Sequence, residues 1–189
     1  MIILLKEVKF LKIKEEIMKL LVIDVQVGIS DERLYQYSTF IQNLQDLIAY
    51  ARNKKIEVIY VQHDDGEGTG FSIGDEEFDI DPHIYPSPTD KRFVKVKHSA
   101  FSNEKLRDYL LSDSDHQLII TGLQTNFCID ATIKSALDEN FTVYVPADCN
   151  STFDNEYMDK QTTCRYYNEW IWKKNGAICL SLDELKNLL

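Results

Sequence analysis

The chain has 189 residues, which is enough for one compact domain with a sizeable hydrophobic core. Hydrophobic residues make up 44% and charged residues 28%, as in an ordinary globular protein. The formal net charge of −10 argues against nucleic acid or an anionic membrane surface as a partner, because both repel an acidic protein.

Residues 1–17 precede the first clean strand-like segment. Their longest apolar run, 1–5, is too short for the core of a signal peptide, and no small-residue cleavage site follows it. Met18 stands directly before the strand-like segment KLLVID. We therefore predict that residues 1–17 are an extension upstream of the natural start, and that residues 18–189 form a single cytoplasmic domain. Intact-mass measurement on protein from the native host tests this start site, and a mass that includes Met1 contradicts it.

Strand-like and helix-like segments alternate along the rest of the chain. The run 20–23 is short and wholly apolar, which is typical of a strand buried on both faces of a parallel sheet. The predicted strands cover residues 20–23, 56–61, 93–97, 117–121, 141–145 and 177–180.

Helical spacing of apolar residues between these strands predicts helices over 38–53 and 155–173, and further helices after the third and fourth strands. Ser102 or Asn103 is the expected N-cap of the helix after strand three, and Ser181 opens a terminal helix. The alternation predicts a single-domain, three-layer α/β/α, Rossmann-like fold with a mainly parallel six-stranded sheet.

Several chemically active side chains are expected at one edge of this sheet. In open α/β sheets, ligands bind beyond the carboxyl ends of the strands. Asp24 ends the first predicted strand, His63 ends the second, and Lys95 or Lys97 ends the third. Cys128 lies in the first turn of the helix that follows strand four. An acid, a cation and a thiol therefore converge, and the long loop over 63–90 is expected to form a lid or pocket wall.

Cys128 is the candidate nucleophile. Amide groups and the helix dipole at this position stabilise an anion, so we expect a lowered thiol pKa and a reactive thiolate. Position alone leaves a packing role open, as it leaves a structural ion pair open for Asp24. None of the four cysteines forms a C-x-x-C pair, and the three other than Cys128 are expected to be free thiols without a catalytic role.

Five segments together resemble the isochorismatase-like cysteine hydrolases, a family that includes nicotinamidases and N-carbamoyl amidohydrolases. They occur in the family's order, and the resemblance covers essentially residues 18–189. The segments are LLVIDVQVGI, VIYVQH, VKVKHSAF, IITGLQTNFCIDATIKSAL and VYVPADCNSTFD.

The resemblance implies a catalytic trio of Asp24, Lys95 and Cys128, with Lys97 as the fallback for the lysine. It also implies a cis peptide bond between Leu123 and Gln124. The backbone amides of Gln124 and Cys128 are then expected to form the oxyanion hole.

The resemblance also concerns the substrate pocket and the metal that some family members bind there. The residues expected to line it are Gln26, His63, Phe101 and Phe127, with Tyr35 and Phe71 as weaker candidates. Nicotinamidases bind a metal through a D-x-H segment, but Val61 stands here in place of that aspartate. We therefore expect neither a metal nor a cofactor.

The predicted function is hydrolysis of an amide or carbamoyl C–N bond of a small molecule through a thioester. Two alternatives remain open at this point: isochorismatase-type hydrolysis of a vinyl ether, and a weakly active oligomeric binding protein with the same fold. Isochorismatases that cleave vinyl ethers lack the cysteine, so Cys128 argues against the first. The resemblance also suggests a homodimer or homotetramer.

Overall fold

A computed structural model describes residues 18–112 and 116–189, so the predicted extension over residues 1–17 lies outside the described residues. Within these ranges the strands form one seven-stranded parallel sheet with the order β3-β2-β1-β4-β5-β7, and β6 pairs with β4. The strands are β1 (Met18–Ile23), β2 (Glu57–His63), β3 (Lys91–Lys95), β4 (Gln117–Leu123), β5 (Thr142–Pro146), β6 (Asn150–Ser151) and β7 (Ile178–Leu180).

The six predicted strands are all present, and the predicted strand number is wrong by one. The additional strand is β6, which has two residues and pairs with Gly122 and Leu123 of β4. Two residues are too few to carry a hydrophobic pattern, so only the tertiary pairing reveals this strand. The third strand lies at Lys91–Lys95 rather than at 93–97, which makes Lys95 its last residue.

Helices cover both faces of the sheet in the described ranges. Asn103 caps α2 by accepting a hydrogen bond from the Leu106 amide, and Ser181 forms a capping box with Glu184, as predicted. The helices are α1 (Tyr37–Asn53), α2 (Glu104–Leu111), α3 (Asp130–Asp138), α4 (Lys160–Arg165), α5 (Trp172–Asn175) and α6 (Leu182–Leu188), with π-helical turns at Thr125–Ile129 and Tyr166–Ile171.

Two hydrophobic clusters lie on opposite faces of the sheet, and β1 contributes to both. Leu20 and Val22 pack with residues of α1 and α6, whereas Leu21 and Ile23 pack with residues of α2, α3 and α5. This alternation explains why β1 is apolar at every position from Leu20 to Ile23. The predicted three-layer α/β/α architecture is confirmed.

The carboxyl ends of β1 and β4 approach each other closely. A Cβ atom on Gly122 would lie 2.0 Å from the carbonyl oxygen of Ile23, and Gly122 has φ +117°. Only glycine fits there. Asp24, the next residue after β1, also has a positive φ of 53°, and its amide donates to the carbonyl of Val61 at 2.8 Å. The chain thus turns sharply where the acid is held.

The long loop after β2 is fixed to the segment that follows β1. Gln26 and Ile80 form an antiparallel bridge, and the Val27 amide donates to the carbonyl of Asp79 at 2.8 Å. The loop therefore returns to the carboxyl edge of the sheet, as its expected role in a pocket wall requires. In the described part of the chain, every helix falls short of the length and apolarity that crossing a membrane demands.

Candidate active site

The ammonium group of Lys95 links the predicted catalytic residues. Its Nζ atom lies 2.7 Å from Oδ2 of Asp24, 3.0 Å from Nδ1 of His63 and 3.4 Å from Sγ of Cys128. A lysine ammonium has three N–H donors, and these three contacts use all of them. The Lys95 side chain is fully buried, whereas Lys97 is exposed and lies two residues beyond the end of β3.

Asp24 is positioned to exchange a proton with Cys128. Its Oδ1 atom is buried and has no hydrogen-bond partner among the described residues. A carboxylate oxygen of Asp24, Sγ of Cys128 and a ring nitrogen of His63 all lie within 4.8 Å of one another. A buried acceptor without a partner is costly, so an oxygen free to accept a proton here is typical of a functional site.

Burial raises the pKa of the Asp24 carboxyl, and the nearby Lys95 ammonium offsets this only in part. The pKa of the Cys128 thiol is raised to about 12, first by burial and then by the negative charge of Asp24. The expectation of a lowered thiol pKa is therefore wrong. Desolvation of the sulfur and the negative charge of Asp24 outweigh the effect of Lys95, so burial favours the thiol form of Cys128.

The His63 ring connects Lys95 to Asp65. Because Nδ1 of His63 accepts a hydrogen bond from Lys95, its proton is on Nε2, which lies 2.9 Å from Oδ1 of Asp65. Gln26 is buried and contacts the backbone of His63. Its amide nitrogen donates to the carbonyls of His63 and Phe78, and its oxygen accepts from the His63 amide. Gln26 thus holds His63 in place rather than lining the pocket.

A cavity of about 340 Å³ opens beside these groups. Phe127 is 49% exposed and lines it, as predicted, and the weaker candidate Phe71 lines it as well. The lining residues are Asp24, Ile29, His63, Asp65, Phe71, His98, Gln124, Phe127 and Cys128.

Besides Gln26, two further residues predicted for the pocket lie elsewhere. Phe101 is buried in the core, where its ring packs edge-on against Phe141 with 5.6 Å between ring centroids. The turn at Ala100–Ser102 directs this side chain toward the sheet rather than the cavity. Tyr35 lines a separate cleft.

Sequence reasoning did not identify His98, which lies in the same segment as Lys95. Its Nδ1 atom is 3.6 Å from Sγ of Cys128. Its ring stacks between those of His63 and Phe127, at centroid distances of 6.5 and 5.9 Å. The sequence contained one signal for this role, which is that His98 follows the predicted catalytic Lys95 by three residues.

The turn that carries Cys128 begins at a cis peptide bond between Leu123 and Gln124, as predicted. The Gln124 carbonyl accepts from the amides of Phe127 and Ile129 at 3.1 and 3.2 Å. Gln124 and Cys128 both line the cavity, so their amides remain the predicted donors to an oxyanion.

The cluster of Asp24, His63 and Cys128 has the residue types and the spacing of a metal site. The ammonium of Lys95, however, already lies within hydrogen-bond distance of all three residues. A metal ion there would meet a like charge at close range in a buried site. The cluster therefore suits proton transfer better than metal binding.

The fold and the buried acid, lysine and thiol define a cysteine hydrolase of the isochorismatase-like superfamily. Residues 19–179 match the family model described as the isochorismatase domain. The chain belongs to this family.

Similar proteins include an uncharacterised isochorismatase family protein of Bacillus subtilis, YddQ. It is 30% identical over 122 residues, which cover 63% of this chain and 67% of that protein. Streptothricin hydrolase of Streptomyces noursei is 25% identical over 71% of this chain and 54% of its own length. Ureidoacrylate amidohydrolase RutB of Pantoea ananatis is 29% identical over 46% of this chain and 35% of its own.

Solved structures agree with this assignment. A crystal structure of an isochorismatase family protein aligns with a TM-score of 0.79 and 29% identity, covering 88% of this chain and 99% of that one. A cysteine hydrolase from Pseudomonas syringae pv. phaseolicola aligns with a TM-score of 0.84 and 19% identity, covering 94% of each chain, and supports the fold alone.

Proposed function

We propose that this hydrolase cleaves an amide or carbamoyl C–N bond of a small molecule through a thioester on Cys128. The observation that supports this proposal best is the position of the Lys95 ammonium, which contacts both the Asp24 carboxylate and the Cys128 sulfur. The name of one relative, ureidoacrylate amidohydrolase, indicates the same bond class for that protein. A cavity of about 340 Å³ is suited to a small substrate.

In the acylation step, Asp24 takes the thiol proton of Cys128 as the sulfur attacks the carbonyl carbon. Lys95 stabilises the negative charge on sulfur while Asp24 becomes neutral. The amides of Gln124 and Cys128 donate to the oxyanion, and one such donor is typically worth about 3–4 kcal/mol. The tetrahedral intermediate then collapses, the C–N bond breaks, and Asp24 returns its proton to the leaving nitrogen.

In the deacylation step, Asp24 takes a proton from water while the water oxygen attacks the thioester. The C–S bond breaks, the acid product leaves, and the sulfur recovers its proton from Asp24. The raised pKa of Asp24 suits both steps, because the same carboxyl group must accept a proton and then release it.

The alternatives from the sequence receive less support. Cys128 and Asp24 together provide a nucleophile and its base. Hydrolysis of a vinyl ether does not require this pair, and a protein that only binds ligands would not need it. Four further expectations stay predictions. They are the cytoplasmic location, the small-molecule partner, the exclusion of nucleic acid and membrane partners, and assembly as a homodimer or homotetramer.

A screen of small amides and carbamoyl amines tests the proposal, with ammonia release as the readout. We expect at least one compound to be hydrolysed by the unaltered protein and not by Cys128→Ala. Cys164→Ala is the matched control, because it also removes a buried thiol and should retain activity. Ammonia release that survives in Cys128→Ala would refute the proposed nucleophile.

A further inference from the structure

We propose that the preferred substrate carries a positive charge, on an ammonium or guanidinium group, close to the scissile C–N bond. This inference rests on the proposed function and narrows its substrate class. It is carried by the charges and ring faces that line the cavity.

Among the residues that the structure describes, the cavity wall has acidic groups and no available cation. Two carboxylates, Asp24 and Asp65, line it, and none of its described lining residues is a lysine or an arginine. Lys95 is the nearby cation, but its side chain is fully buried and its three donors are directed at Asp24, His63 and Cys128. An anionic substrate would therefore enter without a charged partner, which is unfavourable away from bulk water.

Asp65 keeps its negative charge available to a ligand. Its side chain is 55% exposed, and its Oδ1 atom accepts a hydrogen bond from Nε2 of His63. The other ring nitrogen accepts from Lys95, so in this arrangement His63 is a neutral imidazole. Asp65 is thus oriented by His63 without being neutralised by it.

Aromatic rings form much of the remaining wall. Phe71 and Phe127 line the cavity, and the His98 ring stacks on Phe127 with an interplanar angle of 27°. Faces of aromatic rings attract cations and also pack against flat groups. Asp65 and these rings therefore favour the same kind of ligand, and the net charge of −10 attracts it from a distance.

Alkylation of Cys128 by three reagents of different charge tests this without requiring turnover. The reagents are iodoacetate, iodoacetamide and 2-bromoethylammonium, and each rate is divided by the rate with free cysteine. We expect the normalised rate for the cation to exceed that for the anion by about 10-fold or more at low ionic strength, with the neutral reagent between them. A higher normalised rate for iodoacetate would overturn the inference.

Asp65→Asn tests the negative charge of Asp65 apart from the shape of the pocket, because asparagine retains an oxygen that can accept a hydrogen bond from His63. We expect it to reduce the preference for the cation about 10-fold. Asp64→Asn is the matched control, since Asp64 is the adjacent acid, accepts from the Gly66 amide and is not among the lining residues. An equal effect of both variants would contradict a specific role for Asp65.

Hydrolysis of benzamide, 4-(aminomethyl)benzamide and 4-carbamoylbenzoate then separates this inference from the proposed function. The proposed substrate class predicts the highest kcat/KM for the aminomethyl compound. Preferred hydrolysis of the carboxylate would overturn the substrate class and leave the proposed reaction standing. Absence of hydrolysis throughout a wide amide screen would instead count against the reaction, while the alkylation series would still decide the charge preference.

Discussion

Two buried cysteines, each lining its own cleft, differ in what surrounds the sulfur. Cys128 lines the active-site cavity, and Cys164 lines a cleft of about 180 Å³ beyond the carboxyl end of β5. Burial raises the pKa of both thiols. The sulfur of Cys164 lies 3.6 Å from the Thr125 hydroxyl, which is itself bonded to Asn150.

The sulfur of Cys128 contacts Lys95 and His98, and the Asp24 carboxylate lies nearby. Burial alone therefore makes a thiol unreactive, since it disfavours the thiolate. Reactivity requires a base that can take the proton and a cation that stabilises the charge left on sulfur. The active-site cavity supplies both next to the sulfur, whereas the Cys164 sulfur contacts the Thr125 hydroxyl, which is bonded to the Asn150 side-chain amide.

The largest expected effect is the loss of turnover in Cys128→Ser. A hydroxyl is a far weaker nucleophile here, so we expect kcat to fall by roughly 10⁴-fold or more. Cys164→Ser changes the same atom in the other cleft and should leave kcat within about 2-fold. Steady-state kinetics on any substrate found in the amide screen provide the measurement. Similar losses in the two variants would remove the distinction between the clefts.

Asp24→Asn should separate turnover from thiol ionisation. We expect kcat to fall by about 10²–10⁴-fold, because the general base is lost. The negative charge of Asp24 is one of the causes that raise the pKa of Cys128, so its removal should lower that pKa. Alkylation of Cys128 should then reach its half-maximal rate at a lower pH than in the unaltered protein. The pH profile of Cys164 is the internal reference, and an upward shift for Cys128 would contradict the assigned geometry.

Lys95→Met should destabilise the fold in a pH-dependent way. Removing one partner of a buried ion pair typically costs about 3–5 kcal/mol. Lys95 partly offsets the effect of burial on Asp24, so its loss raises the pKa of that carboxyl further. A carboxyl whose folded pKa lies above its unfolded value of about 3.9 loses folding free energy as pH rises above that value.

The free energy of unfolding that Lys95→Met loses relative to the unaltered protein should therefore be small near pH 4 and larger at pH 8. Unfolding in urea at each pH measures it. The double variant Asp24→Asn/Lys95→Met removes the unpaired charge and should recover part of the loss at pH 8. A deficit that does not change with pH would indicate a packing role for Lys95 alone.

The smallest effect concerns His98, whose ring and ring nitrogen can be tested separately. His98→Phe keeps an aromatic ring and removes the nitrogen near sulfur, whereas His98→Asn keeps a donor and removes the ring. If Nδ1 donates to the sulfur anion, alkylation of Cys128 should slow by about 10-fold in His98→Phe and less in His98→Asn. His83→Phe is the control, because His83 is exposed and bonded to Asp81. Equal rates in both His98 variants would leave His98 only a role in the pocket wall.

Local pattern predicted the order of the elements, the buried character of β1 and the caps at Asn103 and Ser181, because these depend on neighbouring residues in the chain. The strand β6 was missed because its two residues are a strand only through their pairing with β4. The resemblance to the family brought Asp24, Lys95 and Cys128 together, and the structure places all three in hydrogen-bond or close contact.

Side-chain direction was the source of the errors in the pocket. Phe101 and Phe127 both flank catalytic segments, but one packs against Phe141 and the other lines the cavity. Gln26 has the position of a pocket residue and instead holds the backbone of His63. Sequence spacing determines which residues lie near the edge of the sheet, whereas rotamers and local turns determine which of them face the cavity.

The sequence by itself determined that a thiol, an acid and a lysine meet at the carboxyl edge of a parallel sheet, because strand order and periodicity are properties of the chain. The electrostatic state of the thiol was decided by the tertiary structure. A helix N-terminus predicts a lowered pKa for Cys128, yet burial and the charge of Asp24 raise it to about 12. Desolvation depends on every group packed around the sulfur, and most of those groups are distant in the chain.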